Sequence, residues 1–186
     1  MQKIRSKLHR YLCPVQKTKV QTVVLLGSND SAARQWLQKA LDGLNSLGNV
    51  TAVSGVYASP SWGFDGPDFQ NAAVRMHVSE NPQSFLRRLL DLENQLGRVR
   101  STTGPRYSNR TIDLDILLWD EEEVHLPGLE IPHPRLHQRK FALVPLQEVC
   151  PDWIHPTHRQ PLGTLIDSCE DNNAVTLLPE KLIFTP

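Results

Sequence analysis

An α+β fold, a four-stranded antiparallel sheet with two helices on one face, is predicted from segment order. Four segments read as strands, at 22–27, about 50–57, 69–78 and 110–119. Two read as amphipathic helices, one after the first strand and one after the third. The order β-α-β-β-α-β is the split βαβ arrangement, whose natural form is that sheet. The helices leave the second sheet face bare, and the tail after residue 120 is the candidate to cover it.

TVVLLG (22–27) is a continuous apolar run of buried-strand type. Ser28, Asn29, Asp30 or Ser31 could cap the next helix. Trp36, Leu37, Ala40, Leu41, Leu44 and Leu47 recur there at helical spacing, and Gly48 is expected to end it. A second strand at about 50–57 leads into SPSWGFDGP (59–67), an irregular loop. In 69–78, Ala72, Val74, Met76 and Val78 face one way, while Asn71, Ala73, Arg75 and His77 face the other. Asn81-Pro82 starts a helix as cap and first residue. Phe85, Leu86, Leu89, Leu90 and Leu96 form its stripe, and Gly97 stops it. A basic loop, RVRSTTGPRYSNR (98–110), precedes the strand RTIDLDILLW (110–119). Beyond 120 the sequence predicts a turn near 127–134, short helices near 143–149 and 161–168, and a last strand near 174–178.

The chain's 186 residues suit one domain and suffice to bury a core. Twenty basic side chains balance twenty acidic ones, so no global field argues for nucleic acid or an acidic partner. Residues 1–20 are the exception: Lys3, Arg5, Lys7, Arg10, Lys17 and Lys19 stand there without an acid. Such an arm could touch phosphate or lipid, or act as a transit peptide. The expectation is a solvated, poorly ordered tail before a single domain at 21–186. It lacks the apolar core of a secretory signal, and no run nears the ~18 apolar residues of a membrane span. Cys13, Cys150 and Cys169 are scattered and form no CxxC pair, which fits a reducing cytosol. Of fourteen prolines, nine cluster in 59–67, 127–134 and 145–161 and predict long, shaped loops.

The last core strand carries a conflict. Ile112, Leu114, Ile116 and Leu118 alternate on one face, while Thr111, Asp113, Asp115, Leu117 and Trp119 occupy the other. Residues i and i+2 of a strand lie ~6.6 Å apart on one side. Two unit charges there repel by roughly 2 kcal/mol at an effective dielectric near 20. Something cationic over Asp113 and Asp115 would offset that cost. Paired divalent ions lie ~3.5–4 Å apart, within reach of two such carboxylates. Oxygen ligands favour Mg²⁺, which keeps water and borrows phosphate oxygens. The alternative is an exposed face with each Asp paired to an Arg, since DxD alone is unspecific. Arg98, Arg100, Arg106 and Arg110 stand just upstream and favour a nucleotide-phosphate site. No Walker A sequence and no GxGxxG occurs.

Other residues carry two readings each. In IPHPRLHQRKFALVPL (131–146), His133 and Arg139 could be delivered to a phosphate chain by a rigid turn, or be ordinary surface groups. Trp62 could be a stacking lid or a loop anchor. Asn71 could read the edge of a heterocycle or make a structural hydrogen bond. Glu93 interrupts the apolar stripe near Gly97, as a ligand-facing acid or a solvated residue. No Ser-His-Asp set and no nucleophilic Cys suggests itself, so positioning, metals and arginines would carry phosphoryl chemistry.

LLGSN, SPSWG…PDFQNAAV, LE…LGRVR, RTIDLDILLW and IPHPRLHQRKFALVPL occur in this order. Together they resemble the 6-hydroxymethyl-7,8-dihydropterin pyrophosphokinase family of folate biosynthesis, from about 22 to 168. The resemblance implies a ferredoxin-like α+β fold and transfer of pyrophosphate from ATP to the pterin hydroxymethyl group, with release of AMP. It implies that Asp113 and Asp115 bind two Mg²⁺ ions, and that Arg98 and Arg110 take up charge developing during in-line attack on the β-phosphorus. Glu93, Arg100, Tyr107, Arg110, Ile116, His133 and Arg139 match ATP-site positions. Ser59, Pro60, Trp62, Phe69, Asn71 and Phe141 match the pterin pocket, where Phe141 would stack and Asn71 would bond the ring edge. The implied partners are small molecules, with no nucleic acid or membrane, for a cytoplasmic monomer.

One departure stands out. Tyr107-Ser108-Asn109 replaces the family's usual Trp-Gly-Pro, so this loop is expected to close with a different geometry. Two rivals remain. A nucleotidyltransferase also carries Gly-Ser and Asp-x-Asp, but close together in sequence, whereas Gly27-Ser28 lies far from Asp113 here. A non-catalytic pterin- or nucleotide-binding paralogue is the other.

Overall fold

The structure, a computed structural model, describes residues 19–61, 65–98 and 110–185. The basic arm up to residue 18 lies outside these, as does most of the loop from Arg98 to Arg110. The elements run β1 (Val20–Ser28), α1 (Ala33–Leu47), β2 (Asn49–Val53), β3 (Tyr57–Ser59), β4 (Phe69–Val78), α2 (Pro82–Gln95) and β5 (Asp113–Trp119). The tail adds a hairpin of β6 (Val124–Leu126) and β7 (Leu129–Ile131), a 3₁₀ turn (Leu136–Gln138), α3 (Lys140–Val149), α4 (Leu162–Asp167) and β8 (Thr176–Leu177).

The sheet runs β5-β1-β4-β3-β8, with β2 also on β4, and these pairings are antiparallel. β2 and β3 together fill the place of the expected strand 50–57. Val53 pairs with Val74 but Tyr57 with Asn71, so 54–56 hold one residue more than the facing segment of β4. The Ser54 side chain bridges this bulge, its Oγ accepting from the Ala73 amide at 2.8 Å. β8 extends the sheet at β3, which is how the tail beyond 170 contributes.

A second bulge corrects the alternation expected in β5. Val24 faces Ile116 while Val23 faces Leu118, which leaves Leu117 as the extra residue. Leu114 and Ile116 therefore pack toward α1 and α2, but Leu118 joins Leu117 on the opposite face. Trp119 turns to the helix side, where its ring lies 5.9 Å from Phe85. Thr22 closes the bulge by donating its hydroxyl to Leu118 O at 2.7 Å.

The helices bury the centres of the stripes that their periodicity predicts, while Trp36, Leu47, Leu86, Leu90 and Leu96 are half-buried. Leu37, Ala40, Leu41 and Leu44 of α1 and Phe85 and Leu89 of α2 meet Val24, Leu26, Ala72, Val74 and Met76. Asn81 caps α2 through its side chain, accepting from Ser84 N at 2.9 Å, with Pro82 first in the helix. α1 has no side-chain cap at Ala32; instead Asp30 Oδ1 accepts from Ala32 N at 2.8 Å and Trp36 Nε1 at 3.1 Å. Gly48 ends α1 in an extended conformation, and a Cβ there would lie 2.5 Å from His77 O.

The tail covers the second face, as expected. Leu143, Leu146 and Val149 of α3 with Leu162 and Leu165 of α4 bury Val23, Leu25, Ala73 and Leu117. α3 starts at Lys140, earlier than predicted, and carries Pro145 inside it. Among the described residues, no helix is long and apolar enough to cross a membrane.

Candidate active site

The site forms where β1 ends and β4 and β5 begin, beside the start of α3. Gly27, one residue before the end of β1, lies opposite both Asp113 of β5 and Asn71 of β4. A Cβ on Gly27 would lie 3.0 Å from Asn71 Oδ1 and 4.0 Å from the Asp113 Cβ. The bare backbone there leaves room for a cavity of about 390 Å³, within the usual range for small-molecule sites.

α2 delivers its acidic and basic groups through its C-terminal cap. Gly97 adopts φ +84°, and the Arg98 and Gly97 amides donate to Glu93 O and Asn94 O, each at 3.0 Å. This Schellman turn folds Arg98 back over the end of its own helix. Its guanidinium then pairs with the buried Glu93 carboxylate and with Asp113. Glu93 Oε1 also accepts from Leu114 N, between the two aspartates, at 2.8 Å. The solvated reading of Glu93 is thus wrong, because two donors compensate its burial.

Asp113 and Asp115 share the cavity face, as the alternation predicts. Arg98 takes one oxygen of Asp113 and Arg110 the other. Burial would raise the Asp113 carboxyl, but Arg110 and Arg98 outweigh it and hold it low. Burial also works against the charge of Arg98, yet Asp113 and Glu93 keep that pKa raised. Asp115 differs: burial and the charge of Asp113 push it up to about 7. A pair in which one acid resists ionisation fits a cation that would relieve both. The donors are carboxylate oxygens, and among the described residues no third His, Cys, Asp or Glu joins them as a metal cluster. That set suits a hard ion completing its shell with water and substrate oxygens.

In the same cavity His133 Nδ1 accepts from Arg135 N at 3.1 Å, and Nε2 lies 3.4 Å from Arg139 Nη1. Burial and the charges of Arg139 and Arg135 push His133 down to about 4, so the ring is neutral near pH 7. With Nδ1 accepting, Nε2 carries the proton, and two donors face one another. Arg98, Arg110, Arg135 and Arg139 line the cavity against Glu93, Asp113 and Asp115, a balance that favours an anion. Phe69, Phe141, Ser59, Pro60 and Asn71 also line the cavity, with Asn71 Nδ2 donating to Ser59 Oγ at 3.2 Å.

Twelve sequence-predicted residues thus meet in one cavity: Ser59, Pro60, Phe69, Asn71, Glu93, Arg98, Arg110, Asp113, Asp115, His133, Arg139 and Phe141. Ile116 does not line it, since its side chain packs in the helix-side core on the opposite face of β5. Trp62, Arg100 and Tyr107 lie outside the described residues, as does the Ser108-Asn109 departure. Gly27, Arg135, Leu86 and Leu90 line the cavity without having been singled out for it. Arg135 stands in the same segment as His133 and Arg139, which was the available signal. Leu86 and Leu90 read as core but are only half-buried.

Residues 23–151 match the family model described as 7,8-dihydro-6-hydroxymethylpterin-pyrophosphokinase. The chain is 39% identical over 134 residues to the Porphyromonas gingivalis 2-amino-4-hydroxy-6-hydroxymethyldihydropteridine pyrophosphokinase, covering 70% of this chain and 90% of that protein. It is 35% identical over 159 residues to the protein of the same name from Haemophilus influenzae, covering 84% of this chain and 97% of the relative. The fold is similar to the crystal structure of Plasmodium falciparum HPPK-DHPS, with TM-score 0.65 and 15% identity. That likeness covers 80% of this chain, which spans 44% of the longer parasite chain.

Proposed function

The chain belongs to the 7,8-dihydro-6-hydroxymethylpterin-pyrophosphokinase family, and from that premise we propose that it transfers pyrophosphate from ATP to 6-hydroxymethyl-7,8-dihydropterin. The hydroxymethyl oxygen bonds to the β-phosphorus, the bond from that phosphorus to the α–β bridging oxygen breaks, and AMP leaves. The observation that carries this reading is a single cavity shared by an acidic pair, four arginines and two phenylalanine rings.

Asp113 and Asp115 would hold Mg²⁺, two ions in the full complex. When bound, the metal supplies positive charge that neutralises phosphate oxygens. Arg98 and Arg110 are the groups that follow the charge. Each now pairs with Asp113, and each would exchange that carboxylate for a phosphate once a cation takes its place. Arg139, Arg135 and the neutral His133 donate to the triphosphate. Glu93 holds Arg98 and, through the Leu114 amide, the spacing of the two aspartates. Phe141 stacks on the pterin, Phe69, Ser59 and Pro60 enclose it, and Asn71 bonds its edge. The resemblance assigns Arg100, Tyr107 and Ile116 to the nucleotide and Trp62 to the pterin. Positioning and preorganised charge thus supply the catalysis, with no covalent intermediate on the protein. We place the enzyme in the cytoplasm as a monomer acting on these small molecules.

Incubation with ATP, Mg²⁺ and the hydroxymethyl pterin tests the proposal. AMP and a diphosphorylated pterin are expected in equal amounts. Pyrophosphate released in place of AMP would indicate nucleotidyl transfer, and saturable pterin binding without AMP would indicate a non-catalytic binder.

A further inference from the structure

Asn29 is buried at 3% exposure one residue beyond β1, and helix capping does not explain it. α1 begins at Ala33, and the free amide of Ala32 is taken by Asp30. The side chain of Asn29 instead reaches across the sheet. Its Oδ1 accepts from Arg110 N at 2.7 Å, while Asn29 N donates to Arg110 O at 3.3 Å. The buried Ser28 hydroxyl donates to the same carbonyl at 3.4 Å. Arg110 stands outside β5, which begins at Asp113. Its backbone is therefore registered, ahead of the β1–β5 ladder, by side chains 81 and 82 residues away together with the single Asn29 N to Arg110 O backbone bond. The neighbouring Gly27 pairs with Asp113 in the β1–β5 ladder. One short stretch, Gly27 to Asn29, thus sets both partners of the Arg110–Asp113 contact. Asn29 Nδ2 also donates to Pro67 O at 3.5 Å, on the loop leading to Phe69.

We propose that Asn29 is a positioning residue that fixes the backbone of Arg110 so that its guanidinium meets the phosphates, and that it ties the loop before Phe69 to the same post. This rests on the phosphate role given to Arg110 above. A long guanidinium side chain reaches a transferring phosphoryl group productively only if its base is fixed, because small misplacements near reacting atoms are costly. A buried amide that makes contacts on two loops supplies that fixation with one residue.

The test is a double-mutant cycle of Asn29→Ala and Arg110→Ala. The readouts are thermal unfolding, kcat for AMP formation, and calorimetric binding of α,β-methylene-ATP with magnesium. Asn29→Ala is expected to lower kcat about tenfold or more and to weaken the analogue several-fold. In the Arg110→Ala background the same change should alter both by less than about twofold, while its effect on unfolding temperature persists. Equal losses of binding in the two backgrounds, or no loss in either, would overturn the proposal. Asn29→Asp serves if the alanine variant does not fold. It keeps the acceptor for the Arg110 amide and loses the donor to Pro67, so kcat should stay within about threefold while the pterin KM rises. A loss of kcat as large as that of Arg110→Ala would overturn the assignment. The binding cycle is read even if no AMP forms, so failure of the proposed reaction and failure of the Asn29 role remain distinguishable.

Discussion

Replacing Asp115 by its neutral isostere should stabilise the metal-free protein at high pH and leave it nearly unchanged in acid. Burial and Asp113 push this carboxyl up to about 7, against about 3.9 for an aspartate in an unfolded chain. Between these values the folded state holds a proton that the unfolded state has lost. Stability contributed by Asp115 is therefore full below about pH 4 and is lost as pH rises through about 7. At about 1.4 kcal/mol per pH unit the interval corresponds to roughly 4 kcal/mol; partial contact with water brings this to the order of 2–4 kcal/mol. Other groups act in the opposite sense. Asp113, held low by its arginines, costs stability only as pH falls through its own depressed pKa. His133 and His155, both pushed down to about 4 by burial first, add stability as pH rises from about 4 to about 6.5. The wild-type profile mixes these contributions, and the difference between wild type and Asp115→Asn isolates one. Urea unfolding in EDTA should show a difference near zero at about pH 4, growing to about 2–4 kcal/mol in favour of Asp115→Asn at about pH 8. Magnesium should then stabilise wild type far more than the variant. An equal effect of the substitution at both pH values would refute the reasoning.

Other perturbations separate the parts of the site. Asp113→Ala and Asp115→Ala should each lower turnover at least ~100-fold, because each removes a ligand for the charge that stabilises the transition state; near-native AMP formation by both would reject the metal site. Glu93→Ala leaves the Leu114 amide without its acceptor and Arg98 on Asp113 alone and should cost roughly 1–3 kcal/mol in urea unfolding. Gly27→Ala sets a methyl 3.0 Å from Asn71 Oδ1. Steady-state kinetics should show the pterin KM rising by roughly tenfold while the ATP KM changes little.

The periodicities that the sequence carries most strongly survive in the structure. The alternation of 69–78 and the stripes of both helices place the sheet and its helical layer. Asp113 and Asp115 share a face because Leu114 between them is core. What failed has a common cause: an inserted residue in a ladder changes face assignment without changing composition. Leu117 does this in β5, so Leu118 and Trp119 exchange faces, and Ser54 to Val56 do it between β2 and β3. Glu93 kept two readings for another reason. An acid on a helix reads as solvated unless its partners are visible, and Arg98 and Leu114 reach it only through the cap and the sheet. The same holds for Asn29, whose partners lie on two distant loops. Local pattern reports which way a side chain points. It does not report which long-range donor will meet it.

The most direct measurement is a crystal grown with Mn²⁺, a non-hydrolysable ATP analogue and the hydroxymethyl pterin, with anomalous scattering used to find the metal. The expected map puts manganese on the carboxylates of Asp113 and Asp115, with Arg98 and Arg110 turned from Asp113 onto phosphate oxygens and the pterin beside Phe141. Manganese bound elsewhere, with both guanidinium groups still resting on Asp113 beneath a bound nucleotide, would contradict it.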